Sequence, residues 1–144
     1  MKRGILLDTG PLVAFLNQQD SYHTWASAQW NQIAPPMFTC EAVLSEACFL
    51  LAQTNAGSEP VVQMLQRGIL AIPFCLKDHA RTIAQLIEKY RSVPMSLADA
   101  CLVRMSELYS HSQILTLDSD FALYRRNGRQ VIPTLMPASK KPRT

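Results

Sequence analysis

Four acidic residues stand in or beside apolar segments, and their types can support metal chemistry. Asp8 follows the apolar run GILL and Asp118 follows ILTL, whereas Glu46 and Asp99 interrupt apolar stretches. No Lys or Arg lies within four residues of any of them. Local ion pairs therefore do not neutralise these acids, and Glu in particular is seldom buried without a partner.

Each acid also has an ordinary structural explanation. Asp8 either caps a helix, belongs to an Asp-Thr-Gly protease motif, or binds a metal. Asp99 forms a capping-box-like start with Ser96, and Asp118 or Asp120 fits the start of a short helix. The sequence around each residue leaves these alternatives open, so the spatial relation among the acids must decide between them.

The elements that position these residues alternate along the chain. Short apolar runs predict strands at residues 4–7, 37–39, 70–74, 114–117 and 130–134. Helical spacing predicts helices from residue 11 onward and then at 21–33, 41–53, 59–67, 78–91, 100–108 and 120–126. Ser21 is the predicted cap of the second helix. This alternation is typical of an α/β fold with a mainly parallel sheet.

The topology of such a sheet brings the four acids together. The carboxyl ends of parallel strands meet at one edge, where Asp8 and Asp118 end their strands. Glu46 lies early in the helix after the second strand, and Asp99 lies in the first turn of a helix that returns to the other edge. Two carboxylates about 5 Å apart repel by roughly 3 kcal/mol at an effective dielectric constant near 20. A hard divalent cation such as Mg²⁺ relieves this repulsion, and its chemistry indicates phosphodiester hydrolysis.

The composition indicates one folded domain that does not span a membrane. Of the 144 residues, 48% are hydrophobic and 17% are charged, which suits a single globular core. The apolar runs fall short of the roughly 18 residues of a membrane helix. The four cysteines show no metal-ligand spacing, so we expect reduced, buried thiols and a cytoplasmic protein.

Charge divides the chain into two parts. Residues 125–144 carry a net charge of +6 with no acid, whereas residues 1–124 carry −3. The basic end either attracts a polyanion such as RNA or forms a solvated tail that keeps the protein soluble. We predict a single domain over residues 1–135 and a flexible basic tail over residues 136–144.

Four segments resemble the acidic motifs of the PIN domain, most closely those of VapC-like toxins of toxin–antitoxin pairs: ILLDTGPLVAFL, TCEAVLSEACFLL, MSLADACLVRM and ILTLDSDF. The resemblance covers about residues 3–134. It implies a three-layer α/β/α sandwich with a mainly parallel, five-stranded sheet. It also implies a ribonuclease that depends on Mg²⁺ or Mn²⁺ and cuts single-stranded or loop RNA.

The resemblance assigns roles to individual residues. Asp8, Glu46, Asp99 and Asp118 form the implied acidic site. Asp8 and Asp99 are the expected direct metal ligands. Glu46 and Asp118 bind the metal directly or through water, or orient the attacking water. Four further residues are candidates to support these acids: Asp120, Thr9, Thr116 and Ser96.

The resemblance also implies partners, namely an RNA substrate, a second copy in a homodimer, and a small antitoxin protein that covers the site. An RNA groove needs basic residues near the acids. Arg104, Arg125 and Arg126 are candidates, although a solvated surface position is the preferred explanation for each of them taken singly.

One predicted helix concentrates aromatic residues. Tyr22, Trp25 and Trp30 form either a base-stacking surface, a dimer surface or part of the core, with core packing preferred for Trp25. His23 is expected to be an ordinary surface residue, with a general-base role as the alternative.

Two other functions stay open, and two are excluded. The open ones are an RNA-processing nuclease without a toxin role and a non-catalytic PIN-like module that binds RNA or protein. An aspartic protease requires a second Asp-Thr-Gly motif and a mostly β chain. A dehalogenase-like phosphotransferase requires an acid at position 10, which is Gly.

Overall fold

The computed structural model describes residues 4–140. Within them the α-helices are α1 (Thr9–Leu16), α2 (His23–Gln32), α3 (Glu41–Leu51), α4 (Glu59–Gln66), α5 (Ala80–Lys89) and α6 (Leu97–Leu108). The strands are β1 (Ile5–Leu7), β2 (Met37–Phe38), β3 (Leu70–Ala71), β4 (Gln113–Leu115), β5 (Arg125–Arg126), β6 (Gln130–Val131) and β7 (Thr134–Leu135). Three 3-10 turns complete the order: Leu76–His79, Ser119–Ala122 and Ala138–Lys140.

Five of the strands form one parallel sheet in the order β3-β2-β1-β4-β7. Leu6 in β1 is in register with Phe38 on one side and Ile114 on the other. The chain moves outward from β1 to β3 and then crosses to the other side of β1. The crevice between β1 and β4 is therefore the switch point of the sheet, where ligands of open α/β folds bind. The predicted mainly parallel, five-stranded sheet is confirmed.

Helices cover both faces of this sheet. Because successive strand residues point to opposite faces, Leu6 and Ile114 pack into one core cluster with α5 and α6. Leu7 and Leu115 pack into the other cluster, with α1, α2 and α4. Helix α3 contributes to both clusters. The three-layer α/β/α sandwich is thus confirmed. Among the described residues, no helix has the length and apolarity needed to cross a bilayer.

The prediction was wrong between residues 120 and 134. The predicted helix 120–126 is only the 3-10 turn Ser119–Ala122, and Arg125 and Arg126 pair antiparallel with β6 in a hairpin. Asn127 and Gly128 both have positive φ, 51° and 80°. An Asn-Gly pair at two such positions is the signal of a tight hairpin turn, which was not predicted. Arg126 pairs with Gln130, so three residues, 127–129, join the two strands. Consequently the fifth strand of the sheet is Thr134–Leu135, after Pro133 interrupts the run.

Smaller differences concern where helices begin. Helix α2 begins after Tyr22, whose N–H is accepted by the Asp20 carboxylate, so Ser21 is not its cap. The predicted helix 78–91 divides into the turn Leu76–His79 and α5, and the third strand is shorter than predicted.

The cysteines and the basic tail have mixed environments. All four cysteines are free; Cys40 and Cys101 are buried and Cys48 is half-buried, whereas Cys75 is exposed, which corrects the prediction that all are buried.

Of the predicted tail, Met136 and Pro137 are buried and residues 138–140 form a 3-10 turn. Residues 141–144 lie outside the described part of the chain.

Candidate active site

An open pocket of about 510 Å³ lies at the carboxyl edge of the sheet, over the β1–β4 crevice. The four acids identified from the sequence all line it: Asp8, Glu46, Asp99 and Asp118. Asp120, Thr9 and Ser96 line it as well, together with Gly10, Pro94 and Leu117. Asp8 and Asp118, which are 110 positions apart in the sequence, are therefore brought to one concave surface.

Asp8 is held at both carboxylate oxygens. One oxygen accepts the Thr9 backbone N–H at 2.8 Å and caps α1, and the other accepts the Thr116 hydroxyl at 2.6 Å. Burial, together with the smaller effect of the Asp99 and Asp118 carboxylates, raises the pKa of Asp8 to about 7, against the two hydrogen bonds, which lower it. At neutral pH Asp8 is therefore close to the boundary between its protonated and ionised forms.

Thr116 links Asp8 to Asp118. Its hydroxyl donates to Asp8 and accepts the backbone N–H of Asp118 at 2.9 Å. Asp118 in turn accepts the Asp120 N–H at 2.9 Å, which caps the 3-10 turn that follows. Burial and the Asp118 carboxylate both raise the pKa of Asp120. One hydroxyl group therefore sets the relative position of two of the acids.

Asp99 is oriented from two directions. It lies in the first turn of α6, where its backbone N–H donates to the capping hydroxyl of Ser96 at 3.0 Å. On its buried side, the Tyr124 hydroxyl donates to Asp99 Oδ2 at 2.9 Å. Burial raises the pKa of Asp99 and the Asp118 carboxylate adds to this, although the Tyr124 hydrogen bond acts in the opposite direction.

Glu46 occupies a different environment from the one we expected. It is exposed rather than buried, and its carboxylate accepts the Thr9 hydroxyl at 2.9 Å. Its apolar neighbours Phe49 and Leu50 are also largely exposed, so this part of α3 faces solvent. Glu46 therefore stands at the rim of the pocket, while Asp8 and Asp99 are buried within it.

The pocket acids have no basic partners among the described residues. The ion pairs of residues 4–140 join Arg91 to Glu88 and Arg104 to Glu107, all outside the pocket. The three arginines considered for RNA contact are half-buried and bonded elsewhere. Arg104 donates to His79, Arg125 to the carbonyls of Ala122 and Tyr124, and Arg126 to that of Ser106.

The aromatic helix serves packing. Trp30 stacks on Phe15 with ring centroids 4.2 Å apart, and Trp25 is partly buried against the same core cluster. His23 is half-buried and its ring lies 2.8 Å from the Ala14 carbonyl oxygen. None of these residues lines the pocket.

Tyr124 is the site residue that the sequence interpretation missed. It is fully buried and bonds Asp99, which lies 25 positions earlier in the chain. A signal was present, because a buried Tyr usually needs a hydrogen-bond partner and Tyr124 follows soon after Asp118 and Asp120. The sequence alone did not indicate which acid it would reach.

The donor atoms of the pocket suit a hard cation. They are carboxylate and hydroxyl oxygens, the ligands that Mg²⁺ prefers. As the side chains stand within residues 4–140, no group of three or more His, Cys, Asp or Glu has the spacing of a formed metal site. The chemistry of the donor set, rather than the spacing of the carboxylates, is what fits a divalent cation.

Comparisons with known proteins agree with this architecture. The family model described as PIN domain matches residues 5–127. Ribonuclease VapC26 of Mycobacterium tuberculosis is 26% identical over 117 residues, which cover 79% of this chain and 86% of the relative. The crystal structure of M. tuberculosis VapC20, described as a sarcin-ricin loop cleaving toxin, superposes with a TM-score of 0.75 at 19% identity. That match covers 83% of this chain and 94% of VapC20.

Proposed function

The chain belongs to the PIN domain family, and we propose that it is a divalent-metal-dependent endoribonuclease that hydrolyses RNA phosphodiester bonds at the acidic pocket. The observation that carries this proposal is the convergence of four carboxylates from separate elements on one pocket, with no Lys or Arg of residues 4–140 paired to any of them. A non-catalytic scaffold would gain nothing from such mutual repulsion.

Asp8, Asp99, Asp118 and Glu46 would hold Mg²⁺ or Mn²⁺. When bound, such an ion lowers the pKa of a water and neutralises charge that develops on the phosphate. The two buried acids, Asp8 and Asp99, are the proposed direct ligands. Glu46, at the exposed rim, is the proposed ligand through water or the residue that orients the attacking water.

The surrounding residues hold these acids in place. Thr116 fixes Asp8 relative to Asp118, Thr9 holds Glu46 by its hydroxyl and Asp8 by its backbone N–H, and Ser96 anchors the turn that carries Asp99. Because the pKa of Asp8 is raised to about 7, Asp8 must lose a proton to act as a ligand. In the metal-free protein, cation binding must therefore displace this proton, and the apparent affinity for Mn²⁺ should increase from pH 6 to pH 8.

The biological role proposed is that of a toxin in a toxin–antitoxin pair, acting as a homodimer in the cytoplasm. Support comes from the relative named Ribonuclease VapC26, while VapC20 supports the fold. The proposed partners are an RNA substrate and an antitoxin protein that covers the pocket. The RNA-processing alternative shares the site and differs only in its cellular effect.

The chemistry is tested by cleavage of a structured RNA with added Mg²⁺ or Mn²⁺, with and without a chelator. Asp8→Asn and Asp99→Asn should each abolish cleavage, whereas Asp78→Asn, at an exposed acid outside the pocket, should not. Circular dichroism shows whether the variants fold. Cleavage that survives both pocket substitutions, or that is indifferent to the chelator, would overturn the proposal.

The toxin role needs a separate experiment in cells. Expression of the wild type should arrest growth, expression of Asp99→Asn should not, and co-expression of the product of an adjacent gene should relieve the arrest. A nuclease that is active in vitro but does not arrest growth would instead support the RNA-processing role.

A further inference from the structure

We infer that Tyr124 is a positioning residue for the acidic pocket: its hydroxyl fixes the orientation of the Asp99 carboxylate for cation binding. This inference rests on the proposed function, because it assigns Asp99 to the metal. The direct observation is the hydrogen bond from the Tyr124 hydroxyl to Asp99 Oδ2, at 2.9 Å. A group that orients a ligating carboxylate affects metal affinity without touching the metal.

The ring of Tyr124 is held rigidly. It is fully buried, and it packs edge-on against Tyr90 and Phe121 with centroid distances of 5.0 and 5.3 Å. Tyr90 is itself anchored, since its hydroxyl accepts the Arg125 backbone N–H at 2.9 Å. The direction of the Tyr124 hydroxyl is therefore set by packing before any cation binds.

The position of Tyr124 in the chain couples two acids. Asp118 begins the 3-10 turn Ser119–Ala122, and the Tyr124 N–H lies 3.2 Å from the Asp120 carbonyl oxygen within that turn. One segment of seven residues thus contributes Asp118 to the pocket and also holds Asp99 of α6. A shift of this segment would move both carboxylates together.

Asp99 is held at two points, its backbone N–H and its carboxylate. The Ser96 hydroxyl accepts the backbone N–H of Asp99, whereas Tyr124 holds the carboxylate from the core. Without the Tyr124 hydroxyl, the carboxylate can rotate, and one buried oxygen loses its donor. Cation binding would then have to restrict that rotation, which lowers affinity.

Tyr124→Phe tests this inference because it keeps the ring and its edge contacts while removing the hydroxyl. We expect the Kd for Mn²⁺, measured by electron paramagnetic resonance without RNA, to rise about 10-fold. The matched control is Tyr109→Phe, which removes the hydroxyl of another partly buried tyrosine that stacks on Phe38 and does not line the pocket. Its Kd should change less than about 2-fold, well below the effect expected at Tyr124.

A double-mutant cycle with Asp99→Asn makes the test independent of general destabilisation. If Tyr124 acts through Asp99, adding Tyr124→Phe to the Asp99→Asn chain weakens Mn²⁺ binding no further. Steady-state cleavage by Tyr124→Phe at subsaturating Mn²⁺ should show a lower kcat and an unchanged KM for RNA. Excess Mn²⁺ should restore much of the kcat.

The failures of the inference and of the proposed function give different results. If Tyr124→Phe binds Mn²⁺ with wild-type affinity, or if both tyrosine variants lose affinity equally, the role of the Tyr124 hydroxyl is overturned while the metal site stands. A wild type that binds no Mn²⁺, or an Asp99→Asn variant that binds it unchanged, would overturn the metal site and the inference with it.

Discussion

Asp8 caps a helix and lines the pocket with the same carboxyl group. From the sequence these were alternatives, but the two oxygens allow both, since one accepts the Thr9 N–H and the other faces Thr116. Residue type and position at a strand end or in a helix were enough to identify the four acids. They were not enough to identify Tyr124, because its hydrogen bond depends on how the segment after β4 folds back onto α6.

The raised pKa of Asp8 predicts a pH-dependent stability in the absence of metal. The carboxyl group titrates near 3.8 when unfolded and near 7 when folded, so the folded protein holds an extra proton between these values. The free energy of unfolding therefore falls by about 4 kcal/mol as the pH rises through this window, and it levels off above pH 7.

Asp8→Asn should remove this dependence. In urea denaturation with a chelator present, the variant should be more stable than the wild type at pH 8 and similar to it at pH 4. Asp78→Asn, at an exposed acid, serves as the control and should show no comparable gain at pH 8. A wild type whose stability does not fall between pH 4 and pH 7 would contradict the raised pKa.

At the scale of elements, capping and turn residues decide where the site residues lie. The sequence correctly predicted that Ser96 begins α6, because a Ser followed three positions later by an acid is a local signal. The prediction failed at the hairpin, where a run of residues was interpreted by apolarity alone and the Asn-Gly turn was overlooked. At Ser96 the local cap agrees with the helix that follows, whereas at the hairpin the Asn-Gly turn overrides the apolar run.

The helix caps offer a matched pair of substitutions. Ser96 accepts the Asp99 N–H, whereas Ser58, at the corresponding position before α4, makes no capping hydrogen bond with its side chain. Ser96→Ala should lower the free energy of unfolding by about 1 kcal/mol, and Ser58→Ala should have a much smaller effect. Equal decreases in urea denaturation would show that the Ser96 hydroxyl does not stabilise α6.

Gly10 sets the approach of α1 to the segment after β4. A Cβ atom at Gly10 would lie 3.1 Å from Leu117 Cβ, next to Asp118. Gly10→Ala should therefore cost about 1–3 kcal/mol of stability and displace Asp118, with weaker Mn²⁺ binding. Gly4→Ala is the control, because its Cβ would meet only the Phe38 ring at the other end of β1. Unchanged Mn²⁺ affinity in Gly10→Ala would show that this close approach does not position Asp118.

For the molecule as a whole, the alternation of strands and helices predicted the parallel sheet and its three layers. What it did not supply was the arrangement of basic residues, because arginines near the pocket in sequence proved to be bonded to carbonyl groups of the fold. The positive charge after strand β5, at Arg129, Lys140, Lys141 and Arg143, therefore remains the main candidate for attracting RNA.

Truncation after Lys140 tests this charge by removing Lys141 and Arg143. We expect weaker RNA binding and a shallower salt dependence, by about 0.7 in the log–log slope for each RNA phosphate that the tail no longer neutralises, with Mn²⁺ binding unchanged. The control carries Lys77→Gln and Arg81→Gln, which remove the same charge from exposed positions near the start of α5. RNA binding is measured by filter binding across salt concentrations. Equal effects in the two variants would indicate that net charge, rather than a specific role of residues 141–144, attracts the RNA.

The pairing of β1 with β4 joins residues about 108 positions apart, as in the hydrogen bond between Asp8 and Thr116. During translation, the first strand must therefore wait for most of the polypeptide to leave the ribosome before its neighbour exists. A nascent chain, or a product of a premature stop codon before β4, carries Asp8, Glu46 and Asp99 but lacks the strand that aligns them. The acidic pocket therefore forms only after β4 has been made, and a shorter product of translation lacks it.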